Sequence, residues 1–183
     1  MQSLDDNFNE LRDRIKQGRE MNFVSFEPIF YLVFHPSQTL EVKKRHRSWL
    51  GRLRKDGYNV TTFSIAKVID EIFNKSKFRD LTLSGESSAG ENLTLYGSSI
   101  ENMILQEDPI HERLQAAIEE ANTKAKGLVF VTDVEALHPF TRIGVIEAKL
   151  QNQCNVPLVI AYPGVRAGKS SLKFLGFYAE DGN

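Results

Sequence analysis

The chain has 183 residues, 41% of them hydrophobic and 26% charged, and its formal net charge is −1. These values are ordinary for one globular domain over residues 1–183 that can bury a full core without disulfides. The near-zero net charge excludes a global electrostatic attraction to nucleic acid or membranes, although it leaves a local basic patch open.

Features that report on cellular location favour the cytoplasm. Residues 1–20 are rich in charged and amide side chains and do not resemble a secretory signal. No apolar run approaches the roughly 20 residues that a membrane helix needs, so no membrane partner is expected. The single cysteine, Cys154, cannot form an internal disulfide, and we expect it to be a buried small side chain.

Hydrophobic periodicity and turn signals predict five elements in the first part of the chain. Apolar side chains from Leu4 to Ile15 recur at helical spacing, and a later apolar run ends at Pro36. Gly57 is expected to end the second helix, and Ser64 to cap the third. In chain order the elements are a helix at 4–17, a strand at 29–34, a helix at 39–56, a strand at 58–63 and a helix after Ser64.

The second part of the chain continues this alternation. Residues 84–99 are rich in Ser and Gly and predict a flexible loop or insertion within the single domain. The later elements are a helix at 110–126, a strand at 128–132, a helix at 141–153, a strand at 157–162 and an edge strand at 171–177. The order predicts an α/β fold with a mainly parallel open sheet of about five strands, helices on both faces and Rossmann-like topology.

The predicted sheet lacks a recognisable nucleotide-binding loop. Residues 164–170 resemble the phosphate loop Gly-x4-Gly-Lys-Ser/Thr, but the spacing is one residue short and the following residues alternate like a strand. We therefore favour a Gly-rich hairpin with a solvated Lys169. No Gly-x-Gly-x-x-Gly motif occurs, and no His or Cys spacing is typical of a metal site, so no cofactor is expected.

Polar residues follow the carboxyl ends of several predicted strands, where open α/β sheets place their sites. They could form one cleft, and they are His35, Asp133, His138, Arg142 and Tyr162. Asp133 could bind magnesium or position water as in nucleotide hydrolases, but we favour a turn or helix-capping role. His138 could act as a general base, but a packing or hydrogen-bonding role is favoured.

The clearest charge cluster lies in the predicted helix at 39–56. It contains seven basic side chains, namely Lys43, Lys44, Arg45, Arg47, Arg52, Arg54 and Lys55. The cluster could contact a phosphate backbone or an acidic protein surface. The simpler interpretation is the solvated face of a helix that turns Trp49 toward the core.

The final third of the sequence resembles a known protein family. The resemblance is carried by residues 129–132 (Val-Phe-Val-Thr), 136–140 (Ala-Leu-His-Pro-Phe), 142, 150–151, 156–159 (Val-Pro-Leu-Val) and 162–164 (Tyr-Pro-Gly), and less tightly by 171–176. On these residues the chain resembles the BrxB family of bacterial BREX (bacteriophage exclusion) defence systems. It departs from the family pattern at Asp133 and His138, where the family usually has Gly and Tyr.

The resemblance implies a small accessory component without established catalytic activity, encoded with a methyltransferase, an ATPase and a PglZ-like protein. We expect an interaction protein that assembles with these BREX proteins, first with the PglZ-like protein, and that could contact DNA within the complex. The alternatives are a DNA-binding module that uses the basic helix at 43–55, and a degenerate nucleotide-binding enzyme that uses Lys169 and Asp133. Because no complete catalytic set is visible, we expect no enzymatic activity.

Overall fold

Four parallel strands form the centre of the molecule, and a fifth strand pairs with the end of one of them. The computed structural model describes residues 3–20, 28–75, 93–107, 109–150, 153–167 and 171–176. The strands are β1 (Ile29–Phe34), β2 (Asn59–Ser64), β3 (Gly127–Thr132), β4 (Leu158–Ala167) and β5 (Ser171–Phe174). The parallel strands lie in the order β1-β4-β3-β2, and β5 pairs with the end of β4 in the antiparallel direction.

Helices precede and connect these strands throughout the described part of the chain. They are α1 (Leu4–Glu20), α2 (Thr39–Lys55), α3 (Ile65–Lys75), α4 (Leu93–Asn102), α5 (Ile110–Asn122) and α6 (Ile143–Ala148). Short turns of other helical types accompany them, namely 3-10 turns at Pro36–Gln38 and Val134–Leu137 and a π-helix at Met103–Glu107.

The sheet buries both of its faces because successive side chains of each strand point in opposite directions. Helices α1 and α2, here called the first layer, pack on side chains such as Leu32 and Phe130. Helices α3, α5 and α6, here called the second layer, pack on side chains such as Val131 and Ile160. The predicted fold class is confirmed: an α/β fold with a mainly parallel five-stranded sheet and helices on both faces.

Helix α1 forms because the sequence supplies both a cap and an apolar stripe. The Asp6 amide donates to the Ser3 hydroxyl at 3.2 Å, and the Ser3 amide donates to the Asp6 carboxylate at 3.2 Å. The predicted apolar stripe of this helix is buried, and Phe8 stacks on Trp49 of α2 with ring centroids 4.9 Å apart. This stacking joins the two helices of the first layer.

Helix α2 ends at the glycine that the sequence predicts as its stop. Gly57 has φ +89°, a left-handed conformation that an L side chain rarely adopts. Its amide donates to the Arg54 carbonyl at 2.9 Å, and the Tyr58 amide donates to the Leu53 carbonyl at 3.2 Å. These two bonds satisfy the last carbonyls of the helix and turn the chain into β2.

Residues 84–99 were predicted to be a flexible loop or an insertion, and the structure places residues 93–99 in the helix α4 and not in a loop. Residues 84–92 lie outside the described part of the chain. Ile100 packs against the second-layer core, and the π-helix that follows buries Met103 and Ile104. This apolar packing outweighs the low helix propensity of the Ser- and Gly-rich sequence.

The segment that resembles a phosphate loop lies between two antiparallel strands. Gly164 and Ala167 belong to β4, Ser171 begins β5, and residues 168–170, including Lys169, lie outside the described part of the chain. A Cβ at Gly164 would lie 2.4 Å from the Lys173 carbonyl oxygen, so this glycine permits close strand pairing. Because a strand follows where a phosphate loop needs a helix, the hairpin interpretation is favoured.

Several other boundaries differ from the prediction, and two of these differences have a clear local cause. Helix α6 is shorter than the predicted 141–153 because the backbone is extended at Arg142 and the helix is capped at Lys149. Strand β4 is longer than the predicted 157–162 because its last residues pair with β5 instead of β1 and β3. Neither difference changes the order of the elements.

Candidate functional site

A cavity of about 140 Å³ opens at the carboxyl ends of β1, β3 and β4, beneath α2. The chain leaves β1 toward the first layer and leaves β3 toward the second, so the two connections diverge at this edge of the sheet. Open α/β sheets bind ligands at such positions. This strand-end cavity is lined by Phe34, Thr39, Val42, Lys43, His46, Phe130, Thr132, Asp133, Glu135 and Ala161.

Asp133 is held rigidly at the edge of the cavity. Its backbone is left-handed, with φ 58° and ψ 35°, at the point where β3 passes into a 3-10 turn. Its carboxylate accepts hydrogen bonds from Ser64 Oγ at 2.7 Å and from Thr132 Oγ1 at 2.9 Å. Burial alone would raise the pKa of Asp133, but bonds from Ser64, Lys43 and Thr132 and the Lys43 charge hold it below its ordinary value.

Lys43 of α2 lines the cavity and bridges two carboxylates. Its Nζ lies 3.0 Å from Asp133 Oδ1 and 2.9 Å from Glu135 Oε1, while 51% of its side chain stays exposed. The hydrogen bond to Glu135, followed by the interaction with Asp133, raises the pKa of Lys43 against the opposing effect of burial. Lys43 therefore stays charged and ties α2 to the end of β3.

His46 lies one turn after Lys43 on α2 and lines the interior of the cavity. Its ring centroid is 5.3 Å from that of Phe130, and its Nε2 is buried without a hydrogen bond to any residue that the structure describes. Burial lowers the pKa of His46, with Asp133 opposing the shift and Arg54 adding to it. Because the ordinary value is already 6.5, the ring is neutral at pH 7.

The structure does not bring the five expected cleft residues together. Asp133 lines the strand-end cavity, but Tyr162 is fully buried in the second-layer core, where its ring meets Tyr31 edge-on at 5.5 Å. Adjacent residues of a strand point to opposite faces, so it is Ala161 that faces the cavity. The expectation that Tyr162 contributes to this cleft is wrong.

The other three expected residues lie outside the cavity lining. His35 is exposed, and its Nδ1 accepts a hydrogen bond from the Ser37 amide at 3.3 Å, which caps the first 3-10 turn. His138 is exposed in the turn after the second 3-10 turn, and Arg142 precedes α6. A strand-end position alone therefore did not specify which side chains converge.

Two ionisable residues of the cavity, His46 and Glu135, were not among the site residues predicted from the sequence. Each of them lies close in sequence to a residue that was predicted. His46 follows Lys43 by one helical turn, and Glu135 follows Asp133 by two residues. The helical spacing of Lys43 and His46 places both on one side of α2. Their partners on β3 and in the turn after it lie too far along the sequence for any local pattern to reveal.

The basic cluster on α2 divides into paired and unpaired side chains. Arg45 contacts Asp5 and donates to Glu41 at 2.7 Å, and Arg52 donates to Asp5 at 3.1 Å. The Trp49 indole also donates to Asp5, at 2.9 Å, and this bond is the largest influence that lowers the pKa of that carboxyl. With Lys43 bound at the cavity, three of the seven basic residues stabilise the fold.

The remaining four basic residues, Lys44, Arg47, Arg54 and Lys55, share the solvent side of α2. All four are exposed, and none forms an ion pair with a residue that the structure describes. Leu40, which is 74% exposed, lies on the same side of the helix, and the small Ser48 and Gly51 occupy its middle. We call the surface that these seven residues form the basic face: Leu40, Lys44, Arg47, Ser48, Gly51, Arg54 and Lys55.

Comparison with known proteins identifies the family of the chain. A family model described as BREX protein BrxB matches residues 61–183, which is more than half of the sequence. The chain belongs to the BrxB family. It is therefore a component of a BREX phage-defence system, as the resemblance in its final third implies. No curated protein and no solved structure matches the chain.

Two features are absent among the residues that the structure describes. No group of three or more His, Cys, Asp or Glu side chains among them is arranged to hold a metal ion. No helix among them is long and apolar enough to cross a membrane. The strand-end cavity and the basic face are two surface features of the described residues whose chemistry calls for an explanation.

Proposed function

We propose that this chain is an accessory interaction component that assembles with other BREX proteins in the cytoplasm and catalyses no reaction itself. A PglZ-like protein is the partner we propose first, and the BREX ATPase and methyltransferase are further members of the assembly. Membership of the BrxB family supports the defence context. The basic face of α2 is the observation that carries the interaction role.

The charges of the basic face are free to act on a partner. Acidic neighbours neutralise Arg45, Arg52 and Lys43 within the fold, whereas the four exposed cations of the basic face have no such neighbour among the described residues. Uncompensated like charges on one helix repel each other, which costs stability in the free protein. An acidic partner surface would remove this repulsion on binding.

Leu40 favours a protein partner over bare DNA. It is one of two large apolar side chains that are exposed in the described part of the chain, the other being Val145. Protein interfaces combine a few apolar anchors with a surrounding polar rim. Lys44 and Arg47 follow Leu40 on the same side of the helix, so we infer a partner with an apolar recess bordered by carboxylates.

Co-purification tests the proposal with charge and anchor variants. The chain is co-expressed with the PglZ-like protein of the same defence system and recovered at physiological salt. We expect the two to co-purify, and Arg47→Glu or Leu40→Ser to reduce recovery of the partner at least about tenfold, as hot-spot truncations do. The matched control is Lys67→Glu, which reverses an exposed charge on α3 in the second layer.

The outcomes of that experiment distinguish the interaction role itself from the choice of the basic face as the docking surface. Failure of the chain to recover any BREX protein would end the interaction role. Recovery that Arg47→Glu and Leu40→Ser leave unchanged would show that a surface other than the basic face makes the contact. Equal loss with Lys67→Glu would show that the effect is one of overall charge.

A second candidate function is DNA contact through the same four cations. They extend over twelve residues of α2, which is about 17 Å along a helix axis. Neutralising up to four phosphates predicts that log affinity falls with log salt at a slope of about −0.9 per phosphate. Gel shifts should then lose affinity in Arg47→Ala and change little in Arg45→Ala, since Arg45 is already paired with Asp5 and Glu41.

A further inference from the structure

We propose that the strand-end cavity binds a small nitrogen heterocycle, a single ring that carries N–H groups and no negative charge. The proposal goes beyond the assembly role and does not depend on it, because Leu40 and the four cations of the basic face do not line the cavity. Size, lining, hydrogen-bonding capacity and charge of the cavity each restrict the class of ligand.

The size and floor of the cavity suit one flat ring. A cavity of about 140 Å³ is close to the volume of about 150 Å³ that holds benzene in another protein. Four buried apolar side chains supply the walls, and they are Phe34, Val42, Phe130 and Ala161. Two of the four are aromatic, so the faces of a ring can stack on or meet the edges of Phe34 and Phe130.

The interior of the cavity offers an unused hydrogen-bonding group. His46 Nε2 is buried and makes no hydrogen bond to any described residue, so it needs a partner from a ligand or from water in the cavity. A neutral imidazole nitrogen can accept or donate, so it can pair with either an N–H or a ring nitrogen of a ligand. A purely apolar occupant would leave this nitrogen without a partner.

The charges at the mouth exclude an anionic ligand. Asp133 and Glu135 carry two negative charges against the single positive charge of Lys43. Lys43 already binds both carboxylates, so a phosphate or carboxylate would have to displace one of them. Glu135 uses Oε1 for Lys43, and no hydrogen bond from a described residue is recorded to its second oxygen, which can accept an N–H from the ligand.

The backbone supports a preformed site. Asp133 is a non-glycine residue in the left-handed region, held there by hydrogen bonds from Ser64 and Thr132. Such strain clusters at binding sites, where surrounding contacts fix one conformation. Fixed side chains lower the entropic cost of binding a small molecule.

Titration of the isotope-labelled full chain followed by NMR tests the proposal. Cytosine is the probe, benzene is the matched ring without N–H groups, and inorganic phosphate is the anionic control. We expect cytosine to bind with a dissociation constant of about 1 mM and to shift the signals of Thr39, Val42, His46 and Thr132. Benzene should bind about tenfold more weakly, and phosphate should leave these signals in place.

Variants establish where the probe binds. Glu135→Gln should weaken cytosine binding about tenfold, because the charge-assisted bond is lost while Lys43 keeps Asp133. Glu112→Gln removes an exposed carboxylate from α5 and should change nothing. Ala161→Leu fills the cavity and should abolish binding of cytosine. If the Ala161→Leu variant does not fold, the Glu135→Gln result alone decides whether cytosine binds in the cavity.

Three outcomes would each overturn the proposal. One is the absence of signal changes with cytosine up to about 20 mM, where the expected complex would be nearly saturated. Another is equal binding of cytosine to the parent chain and to Glu135→Gln. The third is a larger response of the same signals to phosphate, which would assign the cavity to anions.

Discussion

The two helical layers bury the same sheet but differ in how they use charge. The second layer packs chiefly through apolar side chains, with an exposed pair between Arg113 and Glu71 linking α5 to α3 at 2.9 Å. The first layer adds a set of ion pairs to its apolar contacts. Asp5, Asp56 and Asp133 all have a lowered pKa, and each contacts a residue of α1 or α2. The first layer is therefore the part of the molecule that pH and salt can loosen.

The family match also distinguishes the two layers. Residues 61–183 include four of the six residues of β2 and the whole second layer, whereas α1, β1 and α2 precede the matched residues. The basic face lies entirely on α2. Half of the strand-end cavity also precedes the match, namely Phe34, Thr39, Val42, Lys43 and His46. The family match thus covers β3, β4, β5, most of β2 and the second layer, while the proposed surfaces need the first layer as well.

Core truncation should give the largest effects and tests whether the two layers unfold together. Trp49→Ala removes a fully buried ring that stacks on Phe8, and we expect a loss of about 3–5 kcal/mol in the free energy of unfolding. Leu114→Ala in the second layer should cost about 2–5 kcal/mol. Both losses are measured by urea denaturation.

The fluorescence of Trp49, the single tryptophan, shows whether the layers are coupled. In Leu114→Ala the fluorescence transition of the first layer should move together with the circular dichroism transition of the whole chain. A fluorescence transition that stays at its parental urea concentration would show that the first layer unfolds separately.

Loss of an ion pair in the first layer should give an intermediate effect. Arg12 donates to both oxygens of Asp56, the shortest contact being 2.7 Å, and the two side chains are only 20% and 15% exposed. Asp56→Asn should therefore cost about 1.5 kcal/mol at pH 7, measured by urea denaturation. Arg14→Gln, which breaks the exposed pair with Glu10, is the control and should cost no more than about 0.5 kcal/mol.

The cost of Asp56→Asn should depend on pH in a defined direction. Burial alone would raise the pKa of Asp56, but Arg12 and Lys16 hold it below the ordinary 3.8. A lowered folded pKa contributes stability above the unfolded value and loses it as pH falls through the folded value. The difference between parent and variant should thus be full at pH 7 and shrink below about pH 3.8. A difference that grows in acid would contradict the assignment.

Two glycines of one helix should give the smallest effects, with opposite signs. Gly57→Ala forces a side chain into φ +89° at the end of α2 and should destabilise the protein by about 1 kcal/mol. Gly51→Ala has open space in the helix interior and should stabilise it by up to about 1 kcal/mol. Thermal unfolding of the two variants is the measurement, and equal signs would mean that the helix does not end as described.

The sequence predicts the fold well where a local pattern determines an element. The strand at 29–34 is predicted to the residue, because an apolar run is bounded by His35 and Pro36. Helix α2 and its stop at Gly57 follow from periodicity and turn chemistry. The helix at 93–102 could not be predicted in this way, because apolar packing over the next turn supports a Ser- and Gly-rich segment.

The candidate site is less predictable because its contacts join distant segments. Strand-end position identifies Asp133, and composition identifies Lys43, but nothing local pairs the two across the fold. Alternation along β4 would have separated Tyr162 from the cleft, since the facing residue is Ala161. Arg45 and Arg52 of α2 are both paired with Asp5, and only the packing of α1 on α2 decides where Asp5 lies.

Lysine footprinting of the complex tests the central claim, that the basic face is the docking surface, most directly. The chain is acetylated with and without its PglZ-like partner, and modification of each lysine is measured by mass spectrometry. Lys44 and Lys55 on the basic face are exposed, as are Lys67 and Lys149 on the side of the second layer. We predict at least about fivefold protection of Lys44 and Lys55 in the complex, with Lys67 and Lys149 unchanged. Protection of Lys67 and Lys149 without protection of Lys44 and Lys55 would contradict the account.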